Sequence, residues 1–356
     1  MFLAWSEIKF AKLRYSMVIS LIFLIAYLVF FLTGLAYGLA QSNRTAIDKW
    51  QADQILLAKD VNGRLGQSMI ESEIFNQVDV KGDKAILYQR AEIVTLREKS
   101  EKINVNFFGI DWESFLGPNI IEGREIESSD EVVVDISIKE KYQANIGDTL
   151  TVRGKDNVLK IVGFTENAQL SVSPVVYMDV KTYTDLVKMP IRPDATLPFN
   201  GIVIRGDQAN YDDKELDSYS IDSFINELPG YGAQNLTFGF MIIFLIIIGA
   251  IVIGIFMYIL TMQKQAIFGV MKAEGISSWF IAKSVIWQTF ILSMIGVGLG
   301  TLLTYLTGVF LPKAVPFELN LWFVLATGVL MVVIALVGSI FSVRSIVKID
   351  PLDAIG

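Results

Sequence analysis

The chain contains no cysteine and no histidine. Without thiols it has no disulfide framework, no thiolate nucleophile and no Cys-ligated zinc or iron–sulfur centre. Without imidazole it lacks the usual general base and the commonest metal ligand. A hydrolase triad or a conventional zinc enzyme is therefore not expected, and no catalytic or metal-ligating residue is assigned. No G-x-x-x-x-G-K-[ST] occurs, so the chain has no Walker A phosphate cradle. Basic charge is also short: 30 Lys and Arg stand against 37 Asp and Glu, a net of −7.

What is abundant is apolar surface. Of 356 residues, 53% are hydrophobic, and the mean hydropathy is +0.49, which points to lipid as the solvent for much of the chain. "SMVISLIFLIAYLVFFLTGLAYGLA" (16–40) is uncharged over 25 residues, enough at about 1.5 Å per residue to cross a core of about 30 Å. Three more runs follow, at 236–262, 284–311 and 321–343, the run at 284 beginning after Lys283. Lys9, Lys12 and Arg14 resemble a signal-peptide n-region, but the run behind them is too long and no A-x-A site follows, so an uncleaved span is expected. The fold class is an α-helical membrane protein with four transmembrane helices and a large mixed α/β extracytoplasmic domain between helices one and two.

Orientation follows the bases near the span ends. Segment 1–15 has Lys9, Lys12 and Arg14; segment 263–283 has Lys264, Lys272 and Lys283; the tail 344–356 has Arg344 and Lys348. The loop 312–320 has only Lys313. Both termini and 263–283 are thus expected in the cytoplasm, with 41–235 and 312–320 outside. Segment 41–235 holds 21 Lys and Arg against 32 Asp and Glu, net −11, which argues against nucleic acid as its partner. Its short alternating runs suit strands, with "GKDN" as a hairpin turn between "TLTV" and "LKIVGF". Two subdomains are expected there, one from the ends of the segment and one from its middle.

Three stretches carry a family resemblance: "MQKQAIFGVMKAEGISSWFIAKSVIWQ" (262–288), "GDTLTV…KIVGF…SPVVYMD" (147–179) and the closing "VKIDPLDAIG" (347–356). In this order, and with one span, a large domain and three spans, the chain resembles the MacB/FtsX-type permeases of ABC transporters. "FFLTGLAYGLAQSN", "WQADQILLAKD" and "IDPLDAIG" are similar to the HrtB-type hemin-export permeases of Gram-positive bacteria within that family. The resemblance implies a multi-pass permease in the plasma membrane of a Gram-positive bacterium, working as a homodimer among lipid with a separate ABC ATPase subunit. ATP is then used by that partner, and heme is a possible cargo rather than a permanently bound cofactor. It implies export by mechanotransmission. Two other readings keep the topology: export of an antimicrobial peptide, lipid or other hydrophobic toxin, or an FtsX-like signalling protein that controls cell-wall enzymes without transport.

The ATPase contact is expected on the cytoplasmic segments. Gly269 and Gly275 bracket a helical turn with Met271, Lys272 and Glu274; a short helix there would offer Val270, Met271 and Trp279 to a groove on the partner. The same residues also suit a plain loop with an interfacial Trp anchor. In the tail, Pro351 stops the last helix at or before Asp350, and Asp350, Pro351 and Asp353 join the coupling candidates. For heme, the absence of His and Cys leaves Tyr, Met or a carboxylate among the axial ligands to consider. Around the mouth of the first two spans stand Phe30, Phe31, Tyr37, Tyr231, Phe240 and Met241. Tyr231 ranks first because it matches a Tyr in HrtB-like permeases; an aromatic belt explains the same set. Gly34 and Gly38 form a G-x-x-x-G, open to either dimer contact or packing within the chain.

Overall fold

The computed structural model describes residues 2–97, 101–155, 157–187, 197–206, 209–312 and 315–347. They form two compact units. A helical unit takes residues 1–38 and 236–356, and an α/β unit takes residues 39–235.

The helical unit contains α1 (Phe2–Phe10) and α2 (Lys12–Asp48), the latter continuing past the unit boundary. The α/β unit contains α3 (Ser72–Gln77), α4 (Ile136–Tyr142), α5 (Val180–Val187) and α6 (Ile221–Asn226). After it come α7 (Tyr231–Met262), which starts before the boundary, then α8 (Gln265–Ala273), α9 (Ser278–Phe310) and α10 (Leu321–Val347). Four of these, α2, α7, α9 and α10, are long and apolar enough to cross a membrane.

Small residues let those helices approach. On α9, a Cβ at Gly296 would lie 2.6 Å from Ile22, and one at Gly300 would lie 2.8 Å from Ala26 and 3.0 Å from the Tyr27 nitrogen. This G-x-x-x-G, not noticed in the sequence, seats α9 on α2 at backbone distance. Gly254 of α7 and Gly338 of α10 meet in the same manner. The resulting core includes Ile22, Ala26, Val29, Phe30, Ile253, Met257, Leu292, Met331 and Ala335. Their neighbours Leu28, Phe244, Ile251, Leu302 and Val333 are exposed, as lipid-facing side chains of a spanning bundle are.

The α/β unit is built on β1 (Gln54–Ala58), β2 (Asp79–Val80), β3 (Asp83–Leu96), β4 (Lys102–Ile110), β5 (Glu122–Gly123), β6 (Glu131–Asp135), β7 (Thr149–Val152), β8 (Val158–Thr165), β9 (Gln169–Leu170), β10 (Ser173–Asp179), β11 (Gly201–Arg205), β12 (Ala209–Asn210) and β13 (Leu216–Ser220). Pairing runs β3–β4–β10–β6–β8, and β7 pairs with both β8 and β3, closing a ring of six strands. Closure removes the exposed edges that an open sheet would carry. Strands β11, β1 and β13 extend from the first half of β3. The two expected subdomains are therefore one continuous sheet. The 14-residue β3 joins them, with its first half paired to β11 and its last residues to β7.

Alternation along the strands builds two cores. On β4, Ile103, Val105 and Phe107 enter one core, while Phe108 and Ile110 enter the other. Strand β6 is buried throughout, with Val132 and Val134 on one side and Val133 on the other, as a strand covered on both faces requires. Each such side chain contributes roughly 1.5–3 kcal/mol of transfer free energy. Asp135 then starts α4: one carboxylate oxygen accepts from Ser137 N at 2.9 Å, the other from Ala168 N at 2.8 Å.

An ion pair pins the loop before β6. Arg124 donates to Glu131 through Nη1 at 2.8 Å and Nη2 at 2.6 Å, and the Glu127 amide donates to the same carboxylate at 3.0 Å. These donors hold the Glu131 carboxyl down at about 2, against an ordinary value of 4.5. Because the folded value is the lower one, the associated stability is present above about pH 4.5 and is lost as pH falls toward 2. Arg124→Met is expected to remove most of that acid-sensitive increment. Thermal melts at pH 6 and pH 3 check it: the difference between wild type and variant should shrink at pH 3.

Candidate functional site

Of the mouth candidates, Tyr231 belongs to the α/β unit and Phe30, Phe31, Tyr37, Phe240 and Met241 to the helical unit. Tyr231 is the first residue of α7 and is 7% exposed, inside the α/β core with Ala46, Trp50, Phe224 and Leu228. Arg44 interacts with its hydroxyl and also grips Asp48 with a 2.7 Å contact. Phe30 is fully buried in the helical core. Phe31 sits in a ring stack, 5.8 Å from Tyr27 and 5.6 Å from Phe317 between centroids. Tyr37 accepts from Asn320 Nδ2 at 3.2 Å.

Phe240 and Met241 are placed differently. Both are about half exposed and line an apolar groove of about 540 Å³ with Leu32, Thr237, Phe244, Leu245 and Ile248. It runs between α2 and α7, and the Met241 thioether is its one soft donor atom.

The Gly34–Gly38 pair packs within the chain. A Cβ at Gly34 would lie 2.5 Å from the Phe317 ring, and one at Gly38 would lie 2.5 Å from the Pro316 carbonyl oxygen. The Glu318 amide donates to the Gly34 carbonyl at 3.2 Å. The loop before α10 thus rests on the C-terminal part of the first apolar run, and Asn320 Oδ1 then caps α10 through Trp322 N at 3.0 Å and Phe323 N at 3.3 Å.

Segment 263–283 forms a helical turn-back. α8 is closed just beyond its cap by Gly275, whose φ of +89° suits glycine; Ile276 N then reaches back to Met271 O at 2.9 Å, a Schellman-type closure. Ser277 caps α9 by accepting from Phe280 N at 3.3 Å. Val270 and Trp279 are exposed, the latter at 69%, and Glu274 caps α8 on its exposed side. Met271 instead packs against the helical core, and Lys272 is half-buried. Asp350, Pro351 and Asp353 lie outside the described residues.

One cluster was missed in the sequence. Lys264, the residue preceding α8, donates to Glu7 Oε2 at 2.5 Å and to the Tyr15 hydroxyl at 2.6 Å. Tyr15 donates to Gln288 Oε1 at 3.3 Å, and Gln288 Nε2 donates to the same Glu7 oxygen. Lys264, Tyr15 and Gln288 are all buried. Four elements, α1, α2, the start of α8 and α9, are tied through one closed polar ring. Two signals were available: Gln288 is polar inside an apolar run, and Glu7 is the sole acid among the first 47 residues.

Residues 239–351 match the family model described as FtsX-like permease C-terminal. The chain therefore combines four apolar helices and an inserted α/β unit with an FtsX-like permease domain over residues 239–351. It is similar along its whole length to a protein of Staphylococcus epidermidis described as "Putative hemin transport system permease protein HrtB", 29% identical over 365 residues with 99% of each chain covered. A protein of Staphylococcus haemolyticus with the same description is 28% identical over 364 residues, again with 99% of each chain covered. Among solved structures, the extracellular domain of the noncanonic ABC-type transporter YknZ from Gram-positive bacteria aligns with TM-score 0.32 and 12% identity, covering 44% of this chain and 83% of that one.

Proposed function

We propose that this chain is the permease subunit of an ATP-driven efflux system that removes hemin from the plasma membrane of a Gram-positive bacterium. The observation that carries the reading is the full-length similarity, at 29% identity, to a relative described as a hemin transport permease. A separate ABC ATPase supplies the energy, and two copies of the permease act together. The distribution of Lys and Arg supports cytoplasmic termini and a cytoplasmic α8. Val270 and Trp279, exposed on and beside α8, offer apolar knobs to a groove on the ATPase, and Asp350, Pro351 and Asp353 add the tail to that contact.

Mechanotransmission follows from the same arrangement: ATPase closure moves α8, and the polar ring around Lys264 carries that movement to α1, α2 and α9. Hemin is an amphipathic planar molecule that dissolves in lipid, and the groove holding Phe240 and Met241 is apolar and half exposed. Met241 takes the place of first iron-ligand candidate from Tyr231, whose ring is buried and whose hydroxyl is engaged by Arg44. Hemin titration of the full chain in nanodiscs is expected to give a saturable Soret shift, weakened in Met241→Ala and Phe240→Ala. Absence of a saturable shift would overturn hemin as cargo and leave a peptide, lipid or other hydrophobic toxin. A shift unchanged in both variants would remove the groove.

A further inference from the structure

The α/β unit contains a cleft of about 970 Å³, a size suited to a drug-sized organic molecule. It opens where β3 changes partners: pairing with β11 stops at Leu87 and pairing with β7 begins at Val94. Between them, residues 88–93 have no strand on the edge away from β4, and Gln89, Arg90, Ala91, Glu92 and Ile93 line the opening.

At its inner wall stands an acceptor whose direction is fixed by a chain of amides. The Leu170 carbonyl can only accept, so Asn106 must turn Nδ2 toward it, at 2.8 Å. Asn106 Oδ1 then faces Gln89, which must donate through Nε2, also at 2.8 Å. Gln89 Oε1 is left as the free end. Gln89 is only 8% exposed, and its Oε1 has no hydrogen-bond partner among the described residues. A buried carbonyl oxygen without a donor costs about as much as a lost hydrogen bond. Gly66 stands directly beside this atom, and a Cβ there would lie 3.0 Å from Oε1.

The rim has the opposite character. Arg64, Arg90 and Arg153 line it, with Glu92 as the one acid. Arg90 is held by Glu92 at 2.8 Å, whereas Arg64 and Arg153 make no ion pair among the described residues. In a segment of net charge −11, this is a local excess of unneutralised guanidinium. Between acceptor and rim the walls are Leu65, Met69, Val105, Tyr183 and Leu197.

We infer that this cleft is a binding site for an amphipathic organic anion: an apolar body, a donor N–H or O–H that reaches Gln89 Oε1, and a carboxylate taken by Arg64 and Arg153. The site goes beyond the export reading and stands whether or not hemin is the cargo. N-acetyl-4-benzoylphenylalanine has the required parts, namely an amide N–H, two aromatic rings and a carboxylate. Its benzophenone inserts preferentially at methionine, and Met69 lines the cleft.

Irradiation of the full chain in nanodiscs is expected to give saturable adducts on the peptide containing Met69. Arg153→Glu should reduce them roughly tenfold, the usual weight of one charge-assisted hydrogen bond. Gly66→Ala should reduce them by blocking Oε1. The uncharged carboxamide of the same probe should label as weakly as the Arg153→Glu variant. Arg153 is exposed, so its substitution leaves folding intact, and an unchanged melting temperature verifies that. Labelling that does not saturate, or that is equal for acid and amide, or unaffected by Arg153→Glu, overturns the proposal. None of these outcomes bears on the hemin titration, so the two readings fail separately.

Discussion

Lys264→Met is expected to lower the melting temperature of the chain by several degrees and to abolish stimulation of the partner ATPase, and Glu7→Gln added to it is expected to recover much of the lost stability. Lys264 is 9% exposed, and its ammonium donates to Glu7 and Tyr15. Removing it leaves the Glu7 carboxylate with Gln288 as its remaining described hydrogen-bond donor. An uncompensated charge in a desolvated place costs several kcal/mol. Glu7 retains some exposure, 22% of its side chain, so about 1–3 kcal/mol is the appropriate scale. Glu7→Gln alone leaves the ammonium facing an amide and should cost a comparable amount. The double variant removes both charges and keeps an amide to bond Gln288. Melts of the two singles and the double form a cycle whose interaction energy reads the pair directly. A double variant no more stable than Lys264→Met would show that the two groups act independently and would break the proposed link from α8 to α1.

The coupled readout separates stability from transmission. Lys264 stands at the start of α8, and Tyr15 and Gln288 belong to α2 and α9. If the ring carries movement, the rescued double variant regains its melting temperature but not its full ATPase stimulation, because a neutral pair ties α8 less tightly than an ion pair.

How much of this was legible follows from the range of each interaction. The apolar runs showed in the sequence because a spanning helix writes its requirement locally: every residue from Ser16 to Ala40 must tolerate lipid. The hairpin of β7 and β8 was legible for the same reason, since its strands flank a turn. Closure of the six-stranded ring was not, because Val152 meets Val94 across the whole of β4 to β6, and no local pattern encodes that partner. The polar ring was hidden likewise: Glu7 and Gln288 are 281 positions apart, and each alone looks like an isolated polar residue. Tyr231 shows the converse. Its position beside an apolar run suggested a membrane mouth, but α7 begins with it, and Trp50 and Phe224 enclose its ring. Helix α8 was legible as a segment bounded by glycine, whereas the inward turn of Met271 depends on what packs beneath it.

Gly38→Leu is expected to destabilise the chain without altering its state of association. The nearest atoms to a Cβ at this position are all backbone: Pro316 O at 2.5 Å, Pro316 C at 2.7 Å and Glu318 N at 2.8 Å. A side chain cannot swing aside there, so the loop itself must move. That movement strains the bond from Glu318 N to Gly34 O and shifts Asn320, which both contacts Tyr37 and caps α10. Overpacking of this kind costs about 1–3 kcal/mol, and a weakened cap adds about 1 kcal/mol. Gly34 provides the internal comparison, because its obstacle is the Phe317 ring, a side chain rather than backbone. Gly34→Ala should therefore cost less than Gly38→Ala, although both occupy one G-x-x-x-G. Were the motif a contact between copies of the chain, both substitutions would change the population of dimers seen by native mass spectrometry in detergent while leaving the melt of each copy unchanged. Packing on the 315–320 loop requires the reverse, a lower melting temperature at constant dimer fraction, with the larger fall at Gly38.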